Sequence, residues 1–157
     1  VTRRHAYRIT VEWTGDRGVG TTRYDSYGRD HRIAAEGRPA IAGSSDPAFR
    51  GDADRWNPEQ LLIASIAACH KLWYLHLCAV AGVTVLAYRD DAEGTMTEDM
   101  HGGGRFTSVT LRPKIILKGG DDVGLAAGLH VTAHERCFIA NSVNFPVLCE
   151  PEVATMP

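Results

Sequence analysis

Two cysteines of this 157-residue chain stand where sulfur could become reactive. Cys69 closes the run Asn57-Pro-Glu-Gln-Leu-Leu-Ile-Ala-Ser-Ile-Ala-Ala-Cys-His70, in which Ser65, Ala67 and Ala68 leave room beside the thiol. It reads either as a small hydrophobe in tight helix packing or as a nucleophile facing a small pocket. Cys137 ends His134-Glu-Arg-Cys137, where the adjoining Arg136 and a histidine one turn back could lower a thiol pKa. The plainer alternative turns Arg136 to water and the sulfur to the core. A thiolate is also a metal ligand. His130, His134 and Cys137 fall at i, i+4 and i+7 of one helical face, and Cys69-His70 could complete a tetrahedral zinc set, although no CxxC pair supports it. His70 points about 100° away from Cys69 around a helix, so adjacency alone makes no nucleophile–base pair.

The elements that must position these residues follow from periodicity. Asn57-Pro-Glu-Gln60 is a helix start, with Asn able to cap, Pro at the first helical position and Gln completing a capping box. The apolar pattern then runs about 24 residues to Ala81-Gly82, with Leu61, Leu62, Ser65, Ala68, Cys69, Leu72, Trp73 and His76 on one side. Such a helix, apolar almost all round, belongs in the centre of a fold. Before it, Tyr7, Ile9, Val11 and Trp13 alternate as a strand with one buried face, and residues 21–27 read as its hairpin partner, giving an N-terminal hairpin over about residues 5–27. Residues 31–56 read as a long, largely irregular loop with a short strand near Arg38–Ile41.

After the helix, strands are expected over Val83–Arg89, Arg105–Arg112 and Pro113–Lys118, Pro113 suggesting an edge or a bulge. A second helix begins after Asp122 with Val123, Leu125, Ala126, Leu129 and Ala133 inward, and a strand-like end follows over Asn141–Cys149. Hairpin, helix, strands, helix and strand is an α+β order in a single domain over residues 1–157.

Composition excludes several classes. Seventeen basic and nineteen acidic residues, scattered and summing to a charge of −2, leave no footprint for nucleic acid. The most apolar run, Leu61–Cys69, is about half the length of a membrane span, and no secretory signal is read at Val1, so a cytoplasmic protein that does not cross a membrane is expected. Cys69, Cys78, Cys137 and Cys149 form no close pair, and reduced, separate thiols are expected.

The segment from Asn57 to His70, followed by Ala133-His-Glu-Arg-Cys-Phe-Ile-Ala-Asn-Ser142, resembles the two-cysteine signature of the OsmC/Ohr family of organic hydroperoxide reductases, as does the Gly-rich turn from Trp13 to Thr21. The resemblance implies antiparallel sheets wrapped around two long central helices in an intertwined homodimer, with active sites at the subunit boundary. It makes Cys69 the peroxidatic cysteine and Cys137 the resolving one. Glu59 would orient an arginine that activates the thiolate or peroxide: Arg29 first, with Arg17 and Arg50 in reserve. The implied substrate is an organic hydroperoxide or hydrogen peroxide, the implied reductant a thiol or dihydrolipoyl group, and no bound cofactor is needed. The sequence departs from the family pattern at Phe138, where proline is usual, and at His70, where an aromatic is usual. Phe49, Trp56, Trp73, Tyr74, Phe138 and Phe145 could wall an apolar pocket. The competing readings are a structural or ligand-binding member of the same fold and a zinc-binding module. Ten residues of straight helix would hold Glu59 about 15 Å from Cys69, so the two meet only through a kink or a bridging arginine, across a dimer if need be.

Overall fold

The computed structural model describes residues 2–157. These fall into two compact units, the first ending at Leu61 and the second spanning Leu62–Pro157.

The first unit is built on an antiparallel sheet of β1 (Thr10–Trp13), β2 (His31–Ala34) and β3 (Ile41–Gly43), in that order. Val11 lies opposite Ile33, which lies opposite Ile41. The partner of β1 is therefore β2, from the stretch expected to be loop, and not residues 21–27. Local side-chain hydrogen bonds decide this. Asp16 accepts from the Gly18 and Gly20 amides, both at 2.9 Å. The Ser26 hydroxyl donates to the Arg23 and Gly20 carbonyls at 2.9 and 3.0 Å. Serine and aspartate thereby offer the backbone turns in place of a ladder. Trp13 Nε1 pins the far end of this excursion by donating to the Gly28 carbonyl at 2.8 Å. Gly15 has to be glycine, since the Gly28 backbone occupies the space of any Cβ there. The strand starts only at Thr10, so Tyr7 and Ile9 lie outside it, and the expected buried face of Tyr7, Ile9, Val11 and Trp13 stays exposed.

Helix α1 (Pro58–Val80) starts as the sequence expects. Asn57 Oδ1 accepts from the Gln60 amide at 2.8 Å and Gln60 Oε1 from the Asn57 amide at 3.3 Å, a reciprocal capping box. The helix continues without interruption to Val80, and Gly82, at φ 74°, takes the left-handed turn beyond it.

The second unit adds β4 (Val85–Asp90), β5 (Glu93–Glu98), β6 (Gly104–Leu111), β7 (Pro113–Leu117), α2 (Val123–Arg136), β8 (Val147–Cys149) and β9 (Glu152–Thr155). They make two three-stranded sheets, β4-β7-β9 and β5-β6-β8. Each pairs an antiparallel neighbour with a parallel C-terminal strand, so the sheets are mixed rather than purely antiparallel. Strand β9 has no counterpart in the sequence reading. Pro113 opens the central strand β7 instead of lying on an edge, and its first position tolerates the missing N–H.

Ile66, on the first half of α1, packs with Val109 and Leu111. Tyr74, Leu77 and Cys78 pack with Val83, Ile115, Leu117, Ala126 and Ala133. By length and mean hydropathy α1 would pass for a membrane span, further than the nine-residue apolar run suggests. It buries Ile66, His70, Tyr74, Leu77 and Cys78 along one side and leaves Leu72 and Val80 open in the single chain. Helix α2, capped by Asp122 on the Leu125 amide, buries Ala126, His130 and Ala133. Val123 and Leu125, expected inward, are exposed, because the buried stripe passes through a histidine.

Candidate active site

Cys69 is the central residue of α1 and is half-buried. Its neighbours at helical spacing, Leu72, Trp73 and His76, join Phe138 to line a pocket of about 390 Å³. Trp73 meets Phe138 edge to face at 5.7 Å and His76 at 5.9 Å. The walls are mostly carbon, and Leu72 and Phe138 remain 63% and 70% exposed, so the pocket is open to a ligand in the single chain. Of the aromatic residues expected to form such walls, Trp73 and Phe138 do so; Tyr74 and Phe145 belong to the cores, and Phe49 and Trp56 to the first unit.

Cys137 ends α2, where its amide bonds the His134 carbonyl at 3.2 Å and the chain leaves the helix. The turn that follows brings the Ala140 amide to within 3.4 Å of Cys137 Sγ as a donor. The thiol is fully buried, and Cys69, 68 positions earlier in the sequence, lies near enough to help raise its pKa. Burial pushes the Cys137 pKa up to about 11; the Ala140 amide opposes this and the neighbouring Cys69 adds to it. Arg136 does not lower it as the sequence suggested: its guanidinium is turned outward, 5.8 Å over the Trp73 ring. All four cysteines are free thiols.

Glu59 stands in the first turn of α1, where an acid suits the helix dipole, and its Oε2 is buried without a hydrogen-bond partner. The uninterrupted helix gives no kink to carry it to Cys69. In the first unit, Arg29 donates to the Tyr27 and Tyr24 carbonyls, both at 2.6 Å, and lies over both tyrosine rings at 4.0 and 4.6 Å. Arg17 and Arg50 border the same hollow of the first unit as Arg29, together with Asp16, Asp30 and Asp52.

One residue, or about 100°, round the helix from Cys69, His70 faces into the core. Its Nε2 is 2.9 Å from His130 Nδ1, and Cys149 Sγ lies 3.7 Å from the first and 3.9 Å from the second. Tyr74 stacks on the His130 ring at 3.8 Å. Burial lowers both histidines to about 4, helped at His70 by His134 and at His130 by His70, so both rings are neutral at pH 7. Burial, then the charge of Asp90, raises Cys149 to about 12. The metal-competent set among the described residues is thus His70, His130 and Cys149. The expected grouping of His130 with His134 and Cys137 is not formed, because α2 turns His130 toward His70 and Cys149. Cys149 had no local signal: it arrives through the parallel pairing that sets it opposite Leu111.

The family profile described as OsmC-like protein matches residues 51–152, which hold α1, α2 and all four cysteines. An OsmC-like protein of unknown function from Vibrio cholerae superposes with a TM-score of 0.86 at 28% identity, covering 95% of this chain and 100% of that one. An organic hydroperoxide resistance protein OsmC from Legionella pneumophila gives a TM-score of 0.68 at 21% identity, over 96% and 99% of the two chains. The organic hydroperoxide resistance protein OhrB of Bacillus subtilis gives 0.63 at 21% identity, over 96% and 98%. No curated protein matches the sequence. With an α+β architecture shared over nearly the full length and a family profile spanning both cysteines and both helices, the chain belongs to the OsmC-like protein family.

Proposed function

We propose that the protein is a thiol-dependent peroxidase that reduces organic hydroperoxides, and hydrogen peroxide with less preference, through Cys69 and Cys137. The observation that carries this reading is a half-buried Cys69 lining an apolar pocket with a fully buried second thiol, Cys137, close enough for Cys69 to perturb it. The Cys69 thiolate attacks one peroxide oxygen, the O–O bond breaks, and the departing alkoxide takes a proton to leave as the alcohol. Cys69 is then a sulfenic acid. Cys137 attacks Cys69 Sγ, the S–S bond forms, and the hydroxyl leaves as water with the Cys137 proton. The Ala140 amide stabilises the charge that Cys137 develops as it attacks. A dithiol such as a dihydrolipoyl group then returns both cysteines to thiols by exchange, becoming a disulfide itself.

The working unit in this reading is a homodimer in a reducing, cytoplasmic setting. Tyr7 and Ile9 are 90% and 64% exposed beside an open Val11, and Leu72 and Val80 of α1 are also open. Exposed apolar side chains on each unit are the kind that a second copy would cover. The buried, unpartnered Glu59 Oε2 calls for a cationic donor, and an arginine supplied across the dimer would bridge it to the Cys69 site. Arg29 takes that role first, with Arg17 and Arg50 behind it. Purified reduced protein given cumene hydroperoxide and dihydrolipoamide should consume both in equal amounts over many turnovers; if no hydroperoxide is consumed, the reading fails.

A further inference from the structure

The pair at Cys69 leaves a second cluster of metal-ligating side chains unexplained. His70 on α1, His130 on α2 and Cys149 on β8 come from three separate elements, and their donor atoms all lie within 4.8 Å of one another. His70 and His130 are 1% and 3% exposed. Two neutral imidazoles can satisfy each other with one shared hydrogen, but that leaves the remaining nitrogens stranded. His70 Nδ1 and His130 Nε2 are both buried without partners, and so are the Tyr88 hydroxyl and Asp90 Oδ2 on the neighbouring strand β4. Those atoms face away from the cluster; toward its middle, His70 Nε2, His130 Nδ1 and Cys149 Sγ converge with only one hydrogen to share between the two nitrogens.

A zinc ion would occupy it with little rearrangement. Zinc takes histidine nitrogen at roughly 2.05 Å and thiolate sulfur at roughly 2.3 Å, so tetrahedral ligands stand roughly 3.3 Å apart for N and N and roughly 3.6 Å for N and S. The S···N separations of 3.7 and 3.9 Å are close to this, and the N···N separation of 2.9 Å asks the two rings to part by less than half an ångström, about 0.4 Å. The inward nitrogens and the sulfur are the three lone-pair donors, and the outward nitrogens keep their hydrogens.

We propose that His70 Nε2, His130 Nδ1 and Cys149 Sγ form a buried site for one zinc ion, tying α1, α2 and β8 together behind the peroxide pocket. Binding replaces the Cys149 S–H with an S–Zn bond and releases that proton to solvent, both imidazoles binding neutral; a fourth position is left for water. The site is separate from Cys69 and Cys137, so it stands or falls independently of the peroxidase reading.

The test uses the full chain, reduced and stripped by a chelator, titrated with Zn²⁺ against a chromophoric competitor. One ion per chain is expected, with affinity at least about a hundredfold weaker in Cys149→Ser. A Cys69→Ser/Cys137→Ser double variant should bind as the wild type does. X-ray absorption of the zinc-loaded wild type, which needs no variant to fold, should report two imidazole nitrogens and one sulfur. Absence of stoichiometric binding, retention of affinity in Cys149→Ser, loss of binding in the double variant, or a first shell with two sulfurs or none would each overturn the proposal.

Discussion

Residues 69 and 70 are chain neighbours that serve opposite environments. Cys69 opens into an apolar pocket with a second thiol, Cys137, close by; His70 is sealed in the core against a second histidine and a cysteine. The rotation of about 100° per helical residue is enough to separate them. On the open side the sulfur can meet an external molecule and a partner thiol can follow. On the closed side the donors converge on one another, and only something as small as an ion fits among them. The difference shows why cysteine count says little here: Cys137 and Cys149 are both held protonated by burial, yet one lies near a second thiol and the other beside two histidines.

The sharpest way to break this contrast is Cys69→Ser, which should reduce peroxide consumption at least roughly a thousandfold, to the uncatalysed level; stopped-flow assay with cumene hydroperoxide reads it. Cys137→Ser should keep a single turnover and then stall, with the sulfenic acid passing to sulfinic acid under excess peroxide, seen as added oxygen in the intact mass. Because the Cys137 pKa is raised to about 11, its thiolate fraction grows about tenfold per pH unit below that value. Disulfide closure after a single peroxide pulse should therefore speed up from pH 7 to pH 9; a flat profile would mean that thiolate formation at Cys137 does not limit closure. Phe138→Ala removes one exposed pocket wall and should raise KM for cumene hydroperoxide by roughly tenfold, for the loss of about 1–1.5 kcal/mol of apolar contact, while leaving KM for hydrogen peroxide near its starting value. The smallest effect belongs to Cys78→Ala: a buried thiol in the core against Tyr74, its loss should cost about 1 kcal/mol in a denaturant titration and leave the disulfide pattern intact.

What the sequence revealed depended on whether the deciding interaction was local. Asn57 and Gln60 specify the start of α1 within four residues, and the structure shows their two reciprocal hydrogen bonds. The spacing likewise put Cys69, Leu72, Trp73 and His76 on one helical side, the side that lines the pocket in the structure. The β1 partner was misread because residues 21–27 carry strand-forming residue types, while Asp16 and Ser26 capture the backbone in turns and leave His31–Ala34 to pair instead. On α2, Val123 and Leu125 looked inward by hydropathy, but His130 takes the buried position because His70 and Tyr74 wait for it there. Only the parallel placement of β8 brings Cys149 to those histidines, and no local pattern foretells a parallel pairing.

The central claim is the pairing of Cys69 with Cys137, and peptide mapping of the reduced protein after one equivalent of cumene hydroperoxide tests it most directly. The expected product is a Cys69–Cys137 disulfide with Cys78 and Cys149 still alkylatable as thiols; hydroperoxide consumed without that link, or a disulfide containing Cys149, would contradict it.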